Sequence, residues 1–107
     1  MDHLLEAGII FFNSGRYFEA HEAWEDLWRV TSGPARLFYQ GLIQAAVGLH
    51  HLRRGNVDGA RAQLSKSLVK LEQRPPDFCQ IDNGKLAQDI RTVLRNLTPE
   101  EIQIVRL

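Results

Sequence analysis

The sequence predicts an all-α fold: a compact helical bundle of about five helices plus a short C-terminal one. Three observations carry that prediction. Apolar residues recur at helical spacing in five successive segments, and no stretch alternates convincingly with period two. Glycine, proline and asparagine stand at the junctions between segments. The chain also repeats itself at an offset of forty residues.

The first segment, 2–13, sets Leu5, Ile9 and Phe12 on one stripe with Phe11 beside it. Gly15 follows, suited to the left-handed conformation that closes a last helical turn. The second segment, 17–30, carries Tyr17, Ala20, Trp24, Leu27 and Trp28. Pro34 fits the first turn of a third helix, 35–54, which is almost continuously apolar over Leu42–Leu49 as a central helix should be. Gly55 ends it, and Asn56 can cap the fourth, 57–73, with Val57, Ala60, Leu64, Leu68 and Leu71. Pro75-Pro76 stops that helix and opens a loop running to about Asn83. The fifth segment, 84–97, carries Leu86, Ile90, Val93, Leu94 and Leu97. Thr98-Pro99-Glu100-Glu101 reads as a capping box with proline at the first helical position. A short final helix is therefore expected, extending the C-terminal helices over about 84–106.

In the repeat, Gly8 matches Gly48, Gly15 matches Gly55 and Ala20 matches Ala60, while Trp24 and Trp28 match Leu64 and Leu68. Each unit reads as helix, glycine turn, helix, with small residues where the pair must approach closely. The spacing of Gly8, Gly15, Tyr17, Ala20 and Trp24 resembles the tetratricopeptide repeat, which implies two antiparallel hairpins over about 1–34 and 41–74. The forty-residue period exceeds the usual ~34 of that repeat. Two such units and a terminal helix should close into a single domain over 1–107 rather than a long concave array.

Composition bounds function. A chain of 107 residues with 44% hydrophobic residues can build one core and is not generally disordered. Thirteen basic residues balance thirteen acidic ones, so no global field recruits nucleic acid or an anionic membrane. Residues 1–28 nevertheless hold six acids against Arg16, and residues 53–74 hold six bases against Asp58 and Glu72. A solvated helix face explains both runs. Cys79 is the single cysteine, which leaves no intramolecular disulfide or paired-cysteine metal site. Met1-Asp2-His3 lacks a basic leader, and no apolar run approaches the ~18 residues of a membrane span, so a cytoplasmic protein is expected.

The densest chemistry is Glu19-Ala20-His21-Glu22-Ala23-Trp24-Glu25-Asp26-Leu27-Trp28. His21 and Glu25 are four apart and share a helix face beside the tryptophans, while Glu22 projects about 100° further round. Gln40, Gln44, Val47 and His51 form a stripe on the third helix, with His50 pointing elsewhere. If the two helices pack, His21, Glu25, Gln44 and His51 should fall in one locality. Two readings follow. The four could close a hydrogen-bonded network, since buried polar atoms need partners. Alternatively His21, Glu25 and His51 could ligate a divalent metal such as zinc. A second histidine at position 25 would be needed for the familiar metalloprotease motif, and Glu25 stands there. The favoured reading is the network, with no cofactor.

The blocks Phe12-Asn13, Gly15, Tyr17 to Glu22, Trp24-Glu25 and Trp28, then Phe38 to Gln44 with Ala46, then His51-Leu52, Gly55-Asn56 and Gly59-Ala60, resemble the bacterial and archaeal domain-of-unknown-function family 309. The resemblance spans residues 12–60 in order. It implies a compact helical bundle without an established activity, with a metal-dependent hydrolase as a suggestion. It marks Asn13, His21, Glu22, Glu25, Trp28, Tyr39, Gln40, Gln44, His51 and Asn56 as motif positions. Two functions are expected to compete. The first is a non-enzymatic interaction or self-associating module, a homodimer or a binder of a protein or peptide partner. The second is a metal-dependent hydrolase with His21, Glu25 and His51 as ligands and Glu22 as base, although Glu22 faces away from His21.

Overall fold

The computed structural model describes residues 3–107, so the proposed start of the first helix at Asp2 lies outside the described residues. Five α-helices follow in order: α1 His3–Asn13, α2 Tyr17–Arg29, α3 Pro34–Arg53, α4 Val57–Glu72 and α5 Asn83–Asn96. A single 3-10 turn, Phe78–Gln80, interrupts the connection between α4 and α5. Each helix packs on the next, and α3 packs on both α2 and α4. That central position is why α3 has apolar residues nearly all round: Phe38, Leu42, Ala45, Ala46 and Leu49 are all buried.

The junctions obey the local chemistry. Gly15 and Gly55 adopt φ of +76° and +81°, a region that penalises any residue with a Cβ. Both turns make the same bonds: Gly15 N–H donates to Phe12 O and Gly55 N–H to Leu52 O, each at 3.0 Å. Asn56 Oδ1 accepts from Gly59 N at 2.9 Å and caps α4. Asp82 does the same for α5, accepting from Lys85 N at 3.0 Å.

The close approaches also repeat. A Cβ on Gly8 would fall inside the indole of Trp24, and one on Gly48 would lie 2.7 Å from Leu64 Cγ. Trp24, Ala20, Leu27, Ala60 and Leu64 are buried around these contacts.

The end of the chain differs from expectation: residues 98–107 form no helix. Leu97 turns left-handed at φ +50° and ends α5, and the tail then runs extended. Ile102 and Ile104 are 5% and 3% exposed, while Glu101, Gln103 and Val105 face solvent. Alternation explains the outcome. In a helix, residues two apart point about 200° from one another, so one isoleucine would be left in water. An extended chain buries both, and a helix of this length has little stability of its own. Asn13 clasps the strap, with Nδ2 donating to Ile104 O at 2.9 Å and Oδ1 accepting from Ile104 N at 2.7 Å. An isolated antiparallel bridge between Ile81 and Arg106 and the Arg106–Glu6 ion pair at 2.7 Å fasten its far end.

Candidate functional site

The chemistry gathers along the seam where α2 packs on α3. Period 3.6 places Tyr17, Phe18, His21, Glu25 and Trp28 along the seam side of α2, while Trp24 turns into the core. Trp24 Nε1 donates to Leu5 O at 3.2 Å. From α3 come Gln40, Ile43, Gln44, Val47, His50 and His51. Together these residues line two cavities in a row.

The first is a groove of about 210 Å³ between Tyr17, Phe18, His21, Val47, His50 and His51, with walls almost wholly of carbon. Phe18 is 52% exposed and lies beside the rings of His21 and His50, with centroids 5.4 and 5.8 Å away. Burial holds the His50 imidazole below its ordinary value, helped by the positive charges of Arg54 and Arg53 and by His51 and His21. At neutral pH this histidine is therefore an uncharged wall.

The second cavity, of about 200 Å³, lies between Glu25, Trp28, Gln40, Ile43 and Gln44. The Arg36 guanidinium stacks 3.9 Å above the Trp28 ring. Two buried polar atoms belong to residues of this cavity, Trp28 Nε1 and Gln44 Oε1, and neither has a hydrogen-bond partner.

The expected four-residue locality is thus divided. His21 and His51 line the groove, while Glu25 and Gln44 line its neighbour. The reason is length along the helix: Gln44 and His51 share a face but stand seven residues apart, about 10.5 Å. No closed network forms among the four. His21 Nε2 meets Glu25 Oε2 at 3.3 Å, and His51 Nδ1 meets Asn56 Nδ2 at 3.3 Å, without a bond joining the pairs.

The donor set also fits a metal poorly. Both ring nitrogens of His21 face oxygen acceptors, Phe18 O at 3.2 Å and Glu25, so neither lone pair is aimed at an open position. Among the described residues, no group of three or more His, Cys, Asp or Glu side chains is placed to hold an ion. Glu22, the candidate base, is exposed and borders neither cavity.

The remaining motif positions do structural work. Asn13 clasps the C-terminal strap, and Asn56 caps α4 and steadies His51. Tyr39 is buried on another face of α3, against Phe38 and near Cys79. Burial pushes the Cys79 thiol up, so it is not an activated nucleophile. Phe18 is a seam residue that sequence reasoning passed over, and His50, expected to point elsewhere, lines the same groove as His51. His50 follows Val47 by three, so it shares that face, a signal that was present in the spacing.

The sequence profile of the family described as Domain of unknown function (DUF309) matches residues 5–63. The uncharacterised protein YpuF of Bacillus subtilis strain 168 is 31% identical over 100 residues, covering 91% of this chain and 55% of the relative. An uncharacterised protein of Aquifex aeolicus strain VF5 is 28% identical over 92 residues, covering 85% of this chain and 28% of the relative. The chain thus spans about half, or less, of the length of these relatives. It belongs to the DUF309 family.

Proposed function

We propose that this DUF309 member is a non-enzymatic interaction module whose α2–α3 groove receives an apolar side chain from a protein partner. One observation carries the reading: an open, carbon-walled groove of about 210 Å³ with a half-exposed phenylalanine on its rim. Such a surface is unfavourable in water and gains from being covered. The pairing of α2 with α3 suits the role, because two packed helices hold the groove open without help from loops. The hydrolase alternative has weaker support, since His21 is already engaged with Glu25 and Phe18 O, and the candidate base Glu22 borders neither cavity.

The partner mode that suits a seam between two helices is a third helix laid along it. A synthetic alanine–lysine helical peptide carrying one leucine tests this by titration into ¹⁵N-labelled protein. The expected shifts fall on Phe18, Val47 and His50 and vanish in Phe18→Asp. Equal shifts from a leucine-free peptide would sink the proposal. Self-association is proposed alongside it: sedimentation at ~100 μM should give twice the chain mass, because a micromolar dimer is largely assembled there. A single monomeric species at that concentration would remove the homodimer.

A further inference from the structure

Trp28 and Gln44 lie on facing helices and line one cavity, and each hides an unpaired polar atom. One is a donor, the indole Nε1–H; the other is an acceptor, the carboxamide Oε1. Orphaned buried groups are uncommon and costly in folded proteins. Here a donor and an acceptor are left over on two residues of one cavity, which Glu25 and Gln40 also line.

We propose that this cavity binds a carboxamide, the side chain of a glutamine or asparagine on the partner helix. A carboxamide answers both orphans at once. Its carbonyl accepts from Trp28 Nε1–H, one of its N–H groups donates to Gln44 Oε1, and the other is free for Glu25. A carboxylate brings no donor and meets the negative charge of Glu25. An ammonium gives Trp28 no acceptor, and an aliphatic group answers neither atom. Both orphans are covered in the free chain, so binding must uncover Trp28 Nε1 as well as turn the Gln44 carboxamide toward the cavity.

Arg36 stacks on the face of that indole at 3.9 Å. Spacing supplies the second half of the argument. Phe18 and Glu25 on α2, and His51 and Gln44 on α3, are each seven residues apart. Both intervals run from the groove to the second cavity over about 10.5 Å, which equals the i to i+7 distance of a helix. The partner helix therefore carries an apolar anchor and a carboxamide seven residues apart. The identity of this occupant rests on the groove reading above, whereas the orphan pair is independent of it.

The test uses ¹⁵N-labelled full chain, whose two indole N–H signals report separately. Propionamide should move the Trp28 signal, propionate should not, and the Trp24 signal, engaged with Leu5 O, should stay. A host helix with leucine and glutamine seven residues apart should bind about tenfold tighter than the leucine-only helix. That advantage should vanish in Trp28→Phe and in Gln44→Met, each checked for an intact thermal melt. An unmoved Trp28 signal, with its proton protected from exchange, would mean that Trp28 and Gln44 merely bond each other, and the proposal would fall. Equal affinity of the two peptides would also overturn it. Loss of leucine-only binding in Phe18→Asp upholds the groove whatever the carboxamide result. Propionamide shifts without binding of either peptide would remove the groove reading and leave the carboxamide site standing.

Discussion

In the first hairpin Gly8 lets the indole of Trp24 lie against α1, and in the second Gly48 lets Leu64 lie against α3. The turns between the helices are equally alike, down to the left-handed glycines at positions 15 and 55. The fastenings are not. Trp24 bonds its Nε1–H to Leu5 O, whereas the second hairpin uses Ser67, whose buried Oγ donates to Gly41 O at 2.7 Å. Asn13 clasps the C-terminal strap, and its counterpart forty residues on, Arg53, reaches back to Gly15 O instead. The seam residues His21, Glu25 and Trp28 correspond to Arg61, Ser65 and Leu68, which carry no comparable chemistry. A repeat therefore specifies a skeleton, and each copy is free to spend its remaining positions differently.

The sharpest way to break the equivalence is at the two glycines. Gly8→Ala must displace a rigid indole, while Gly48→Ala meets the buried Leu64 at Cγ, 2.7 Å away, with the Leu64 backbone N at 3.2 Å. We expect Gly8→Ala to cost about 3 kcal/mol and Gly48→Ala about 2 kcal/mol, each after the gain from alanine's better helix propensity. Urea midpoints measure both, and an equal loss would mean that the two contacts are not geometrically distinct. Next comes Asn13→Ala, which strips two hydrogen bonds from Ile104 and should cost about 2 kcal/mol. Amide exchange should quicken across 102–107 while α3 and α4 stay protected; unchanged protection of the tail would show that the clasp is incidental. Ser67→Ala, confined to the second hairpin, should cost about 1 kcal/mol by removing the bond that Gly41 O accepts beyond its own helical one. A neutral result there would mean that water replaces the hydroxyl.

The smallest effect is one of pH. His50 binds protons less readily folded than unfolded, chiefly through burial and then through Arg54, His51, Arg53 and His21. The unfolded chain therefore holds more protons just below the ordinary histidine value near ~6.5, and stability rises with pH through that window. The contribution is whole above it and lost as pH falls. Glu19 on α2 also feels His50; its carboxyl is held below its ordinary value, chiefly by a backbone hydrogen bond and by Arg16, so it acts in the same direction but at lower pH. The melting temperature should drop modestly from pH 7.5 to 5, and the drop should shrink in His50→Gln. An identical pH profile in that variant would assign the effect elsewhere.

The helices, their turns and the glycine contacts were determined by the sequence alone, because each rests on local rules. Period 3.6 sorts core from surface, a positive φ selects glycine, and a side-chain oxygen such as that of Asn56 caps the next helix. The C-terminal strap was not legible that way. Its capping-box pattern satisfies a local rule, but Ile102 and Ile104 can both be buried only if the chain extends, and only the presence of Asn13 and Ile81 nearby makes extension favourable. The seam shows the same limit. Spacing placed His21 with Glu25 and Gln44 with His51 on common faces, yet how far along each helix the partners meet is a property of packing. Tertiary structure alone separated those four residues into two cavities, admitted Phe18 to the first, and left Trp28 and Gln44 with unpaired atoms at the second.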